Sequence, residues 1–192
     1  MSISDGESPD DILLGRYSRQ RDLAAFNVLI DRHQADLLRT AHALLGDGHA
    51  AQDAVQEGFL RLSRDADQLV AKWRAGASLG GWLCTVVRNW CIDHLRRRQV
   101  VPMTTLQADH ADMGISPAVA MAKADSGQDL WRAVDALPDL ERAAVVLRYR
   151  DGLSYQDIAE RLDKTATHVG VLLHQALGRL RTCDALRAGE QP

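Results

Sequence analysis

The sequence predicts an all-α protein: two small helical domains joined by a flexible linker, the second containing a helix-turn-helix. Three observations carry that expectation. Apolar residues recur at three- and four-residue spacing along most of the chain, which is the helical period. Aromatic residues make up 5% of the chain against 46% hydrophobic residues overall, which suits helices packed through Leu, Ala and Val better than a β-sandwich. Residues 101 to about 126 lose the period and collect Pro102, Gly114, Pro117 and several Asp, so they read as a linker. The expected organisation is a disordered N-terminus over 1–10, a domain over 11–100, a linker over 101–127, a second domain over 128–187 and a tail over 188–192.

The 192 residues suffice for one domain or two small ones. A formal net charge of −3 excludes a globally basic nucleic-acid binder, so any DNA contact must use local basic patches. No signal peptide and no long apolar run is found, and the N-terminus MSISDGESPDD is polar and acidic. A cytoplasmic setting with no membrane insertion is expected. Cys84, Cys91 and Cys183 form no disulfide or metal-ligand pattern, and Cys84 and Cys91 read as buried apolar side chains.

Helical spacing begins at Asp11 and runs through Leu13, Leu14, Leu23, Phe26, Leu29, Ile30, Leu37, Leu38, Ala41 and Leu44, with Asp22 a plausible N-cap inside the run. Gly46-Asp47-Gly48 breaks it as a turn. The next helix is expected over Ala50 to Arg64, with Ala54, Val55, Phe59, Leu60 and Leu62 inward and Asp53, Gln56, Glu57 and Arg61 on the polar side. Ala75 to Gly81 is Gly-rich and reads as a loop without the spacing or lysine of a P-loop.

The stretch Thr85 to Arg98, TVVRNWCIDHLRRR, then places Val86, Val87, Trp90, Cys91, Ile92 and Leu95 near one face and ends in three arginines. Guanidinium groups suit phosphate, and Trp82 and Trp90, near one helical face, suit unstacked bases. The same features also fit a packed core and a macrodipole-matched C-terminus.

In the second half, Leu130, Val134 and Leu137 form a helix ended by Pro138, and Leu140, Ala143, Val146, Leu147 and Tyr149 form the next. Asp151-Gly152 turns the chain. Ser154 to Leu162 is a short helix with Ser154 as N-cap and Asp157 three residues on. Asp163 to Ala166 is a tight turn, and Thr165 caps a last helix that runs to about Ala185. Ile158, Leu162, Val169, Leu172 and Leu173 supply the core between the two, with Ala159 at their approach. Two helices on so short a turn make a helix-turn-helix or an ordinary hairpin. Catalysis has little support: the seven histidines show no ligand spacing and no nucleophile is partnered. No metal or small-molecule cofactor is expected.

Three segments carry a resemblance: AFNVLIDRHQADLLRTAHALLGDGHAAQDAVQEGFLRLSR, GGWLCTVVRNWCIDHLRRR and ALPDLERAAVVLRYRDGLSYQDIAERL. In this order they resemble bacterial RNA polymerase sigma factors of the extracytoplasmic-function type. The resemblance implies a sigma factor, not an enzyme, that binds core RNA polymerase and promoter DNA and answers to an anti-sigma factor. It implies core-polymerase contacts at Asp53, Gln56, Glu57, Phe59 and Arg61. It implies −10 element contacts at Trp82, Arg88, Asn89, Arg96, Arg97 and Arg98, with Asp93 orienting an arginine through an ion pair. The −35 element would meet Lys164, Thr165, Thr167, His168, Val171, His174 and Arg179. The last helix departs from the family, with Gly170, Leu172, Gln175 and Leu177 where basic residues are usual. Weak −35 binding with a shallow salt dependence is expected. In the alternative where Leu172 and Leu177 are buried, Arg148, Arg150 or Lys164 would meet phosphate. The alternatives in function are a stand-alone helix-turn-helix regulator and a sigma-like mimic that sequesters an anti-sigma factor.

Overall fold

The computed structural model describes residues 8–73, 77–98 and 127–188. The expected N-terminal disorder falls largely outside these residues, as do the linker and a short helix expected near Pro117 to Ala124. Every described element is helical: α1 (Asp10–Gln20), α2 (Leu23–Leu45), α3 (Gly48–Lys72), α4 (Leu79–Arg98), α5 (Gly127–Asp135), α6 (Asp139–Val145) running into a π-helical turn (Val146–Arg150), α7 (Tyr155–Leu162) and α8 (Ala166–Ala188). Two compact units result. One takes the described residues up to His42 and from Asp47 to Cys91; the other takes Ala43–Gly46 and those from Ile92 onward.

In the first unit, α1 buries Leu13, Leu14 and Tyr17 and packs along α3. Ser18 Oγ donates to Asp67 Oδ1 at 2.7 Å across that seam. Arg21 closes α1 in the left-handed region at φ 53, and Asp22 then opens α2 by accepting from the Ala24 and Ala25 amides at 3.0 and 3.2 Å. The Ala25 amide, followed by the Arg16 guanidinium at 2.6 Å, holds the Asp22 carboxyl below the usual carboxylate range. A carboxyl whose folded pKa is depressed contributes stability above its unfolded pKa and loses it as pH falls through the folded value. Urea midpoints should therefore drop below about pH 4, and Asp22→Ala should flatten part of that slope; an unchanged slope would remove Asp22 from the acid response.

Helix α3 is longer than the sequence predicts. Asp47 caps it at 2.9 Å through the Ala50 amide, and Ala66, Leu69 and Val70 carry the apolar stripe past Arg64. Leu60, expected inward, is 49% exposed; it falls on the stripe of Asp53, Gln56, Glu57 and Arg64, one or two turns from each. Helix α4 begins inside the stretch read as a Gly-rich loop. Ser78 Oγ accepts from the Gly81 amide at 3.1 Å, so a capped start overrides the low helix propensity of Gly80 and Gly81. Its inner face is Leu79, Leu83, Val86, Val87, Cys91, Ile92 and Leu95. At the α3–α4 crossing, a Cβ on Gly58 would lie 2.8 Å from Val87 Cγ2, so only glycine lets the helices approach this closely.

Burial pushes the Cys91 thiol up to about 12, which leaves it a thiol at neutral pH. Iodoacetamide should spare Cys91 in the native chain and modify the part-exposed Cys84 first, as read by peptide mass mapping. Equal labelling would contradict the burial.

In the second unit, α6 carries Arg142, only 3% exposed. Its guanidinium donates to the carbonyls of Leu44 at 3.3 Å, Leu137 at 2.8 Å and Asp135 at 3.3 Å, to the Leu45 carbonyl, and to Asp139 Oδ1 at 2.7 Å. One side chain thus satisfies the open C-terminal carbonyls of two helices, groups that a helix leaves unpaired. Gly46, at φ +64, lies so close that a Cβ there would meet the guanidinium at 2.6 Å.

The π-helical turn ends at Arg150, and Gly152 follows at φ +70 to turn the chain. Ser154 then opens α7 through a complete capping box: its hydroxyl accepts from the Asp157 amide at 3.1 Å and Asp157 Oδ2 accepts from the Ser154 amide at 3.1 Å. Asp163 closes α7 in the left-handed region, and Thr165 Oγ1 accepts from the His168 amide at 3.2 Å to start α8. Ile158, Ala159, Leu162, Val169, Leu172 and Leu173 are all buried at that joint. These two helices and their short turn have the helix-turn-helix form.

Candidate nucleic-acid interface

Three surfaces collect the residues singled out in the sequence. On α3, Asp53, Gln56 and Arg61 are exposed and Glu57 is half-buried. Glu57 pairs with Arg64 at 2.5 Å, and Arg61 lies 3.4 Å from Asp65. Phe59 is buried, 8% exposed, because it falls on the opposite face and packs into the core. It supports the stripe from behind rather than facing a partner. The sequence reading missed the exposed apolar centre of this stripe, Leu60. Its spacing from Gln56 and Arg64, four residues on either side, was the available signal.

On α4, Asn89 and Arg97 are exposed, and Trp82 and Arg88 are half-buried. The three terminal arginines stand at the negative end of the helix dipole. Arg96 donates from Nη2 to the Glu160 carbonyl at 2.6 Å and lies 3.7 Å from Asp93. Asp93 thus pairs loosely with Arg96. Arg98 lies 3.5 Å from Asp139.

On the helix-turn-helix, Thr165, Thr167 and His174 are exposed, while Lys164, His168 and Val171 are half-buried. Thr165 serves as the helix cap. Burial first, and the Lys164 charge second, hold the His168 imidazole below its ordinary pKa, so it is neutral at pH 7. Its Nε2 is buried without a hydrogen-bond partner, so the ring does not present both nitrogens to a base edge. Arg179 is placed differently from the expectation: its Nε lies 3.1 Å from the carboxylate of the buried Glu141, tying α8 to α6. Desolvation pushes the Glu141 carboxyl up and the Arg179 charge opposes that shift. Leu172, at a position the family usually fills with a basic residue, is core.

Among the described residues no group of His, Cys, Asp and Glu could hold a metal, and no helix is long and apolar enough to cross a membrane.

The chain matches two family profiles in succession, Sigma-70 region 2 over residues 29–100 and Sigma-70, region 4 over residues 127–180. The chain belongs to the sigma-70 family. Sigma factors of the ECF type are among its relatives within that family. ECF RNA polymerase sigma factor SigE of Mycolicibacterium smegmatis is 31% identical over 89% of this chain, which spans 66% of that protein's length. ECF RNA polymerase sigma factor SigW of Bacillus subtilis is 25% identical, with 85% of this chain and 90% of that protein covered. Among solved structures, the sigma factor RpoE of Bartonella quintana, crystallised with the anti-sigma factor NepR, is 22% identical with a TM-score of 0.44, covering 82% of this chain and 94% of that one. The sigma-70 region 2 match contains all of α3 and α4, and the region 4 match contains the helix-turn-helix.

Proposed function

We propose that the chain is a dissociable sigma subunit that binds core RNA polymerase, directs promoter recognition and starts transcription, without catalysing a reaction of its own. The observation that carries the reading is the succession of a region 2 and a region 4 in one chain. A cytoplasmic location and an anti-sigma partner follow from the family as expectations. In this reading residues 11–100 hold polymerase and the −10 element, and 128–187 hold the −35 element.

The α3 stripe has the anatomy of a protein interface, an exposed Leu60 rimmed by Asp53, Gln56, Glu57 and Arg61. Arg97 would position phosphate, joined by Arg96 and Arg98 where DNA draws them from the Glu160 carbonyl and Asp139, while Trp82, Arg88 and Asn89 would meet opened bases. Thr167, His168, Val171 and His174 would read the −35 duplex through polar and thymine-methyl contacts, with Lys164 and the α8 N-terminus on phosphate.

The test is run-off transcription with core polymerase from a related bacterium on sheared genomic DNA, with transcript 5′ ends mapped. Discrete starts sharing an upstream motif are expected. Core binding without starts would indicate a mimic, and absence of core binding a stand-alone regulator. In the same system, Arg97→Ala should lower the salt dependence of promoter binding by about 0.9 in log–log slope, the share of one phosphate contact. An unchanged slope would take Arg97 out of the interface.

A further inference from the structure

The helix-turn-helix has a feature that its function, as read above, leaves unused. The π-helical turn Val146–Arg150 widens the end of α6 and closes through the Asp151 amide on the Val146 carbonyl at 3.2 Å. Such widened turns re-aim the side chains they carry. Here Arg148 is brought back over the start of α7. Its Nη1 donates to the Leu153 carbonyl at 2.9 Å, and its guanidinium carbon lies 5.0 Å from the centre of the Tyr155 ring. That spacing is a cation–π contact. The same ring reaches the second turn of α8, where Tyr155 Cε2 lies 3.8 Å from the position a Cβ on Gly170 would occupy. Arg148, Tyr155 and Gly170 thus stack in series from the end of α6, through the first residue of α7, to the helix that reads DNA.

We propose that Arg148 and Tyr155 are positioning residues that fix the angle at which α8 is presented to the −35 duplex, with Gly170 as the seat of the ring. The inference rests on the sigma reading of this module and deepens it. It bears on two residues together. Arg148 is a half-buried cation committed to a backbone carbonyl and an aromatic face, so it is not the phosphate contact that a sequence poor in basic residues invites. Gly170 lies within van der Waals reach of the ring, so a side chain much longer than alanine there would crowd Tyr155. Base-edge contacts by short side chains, a hydrogen bond from Thr167 or an apolar contact from Val171, tolerate little error in helix placement, since a shift of about 1 Å already removes a hydrogen bond or opens a van der Waals contact. A helix with few cations depends the more on that placement.

The experiment uses the whole chain bound to core polymerase and a promoter fragment recovered in the run-off assay, with and without its −35 element, across a salt series. Arg148→Lys retains the charge and loses the planar stack. Gly170→Leu retains Arg148 and unseats the ring. Each is expected to weaken binding about tenfold on the fragment with the −35 element. Neither should weaken it on the fragment without that element, and neither should change the salt slope. The double variant should bind no worse than the weaker single one, because both act on one stack. Core binding and helix content by circular dichroism should match the unsubstituted chain, which separates a misplaced helix from a damaged fold.

Arg148→Lys binding like the unsubstituted chain would overturn the proposal. So would Arg148→Ala lowering the salt slope by about 0.9, the mark of a phosphate contact. If the unsubstituted holoenzyme recovers no fragment, the sigma reading fails and the inference falls with it. Recovery of fragments with an indifferent Arg148→Lys defeats the inference alone.

Discussion

Arg142→Ala is expected to be the most destabilising single change in the second unit, by about 3–5 kcal/mol, the range for stripping one partner from a buried charged network. The arginine is 3% exposed and serves four backbone carbonyls and one carboxylate. Alanine would leave the carbonyls at the ends of α2 and α5 without donors and open a cavity beside them. Arg142→Lys should recover only part of the loss, because one ammonium cannot reach acceptors that the guanidinium meets on both of its edges. Urea unfolding followed by circular dichroism measures this directly. A loss below about 1 kcal/mol would mean that water reaches these carbonyls and that the arginine is dispensable.

The second large effect is expected in the first unit. A Cβ at Gly58 would sit 2.8 Å from Val87 Cγ2, and Val87 is fully buried on α4. Val87 is β-branched with one favoured rotamer in a helix, so it cannot swing aside. Gly58→Leu should cost about 3 kcal/mol, the upper end for overpacking, even though leucine is the better helix former. Combining it with Val87→Ala should recover part of that loss, since the smaller residue makes room. Additive losses in the double variant would show that Gly58 is required for a reason other than this crossing.

Periodicity and capping made most of the helices legible. Asp22, Ser154 with Asp157, and Thr165 each cap the helix expected of them, because a side-chain oxygen bonded to a nearby amide is a local event written in three or four residues. The misses have physical causes too. The Gly-rich start of α4 suggests a loop, but it is helical because the Ser78 cap and the packing of Leu79 outweigh the poor propensity of two glycines. Leu60 is hydrophobic enough to suggest core, yet its register on α3 puts it outward. At the candidate surfaces, residue type located the elements but not each side chain's part. Phe59 and Leu172 are core, as their helical register indicates, although the resemblance placed Phe59 among the polymerase contacts and Leu172 at a position the family usually fills with a basic residue. Arg179 is held by Glu141, from a helix roughly forty residues earlier, and no local pattern encodes that pairing.

The Arg142 cluster also bears on how the chain matures on the ribosome. Its acceptors at Leu44 and Leu45 are made 98 and 97 residues before the guanidinium that covers them. At about 5–20 residues per second, the end of α2 waits on the order of 5–20 s for its cover. Throughout that interval the nascent first half carries an open helix end that water must hydrate. Until translation passes Arg142, that open end is a place where a chaperone or a premature partner can engage, and release of the finished chain closes it.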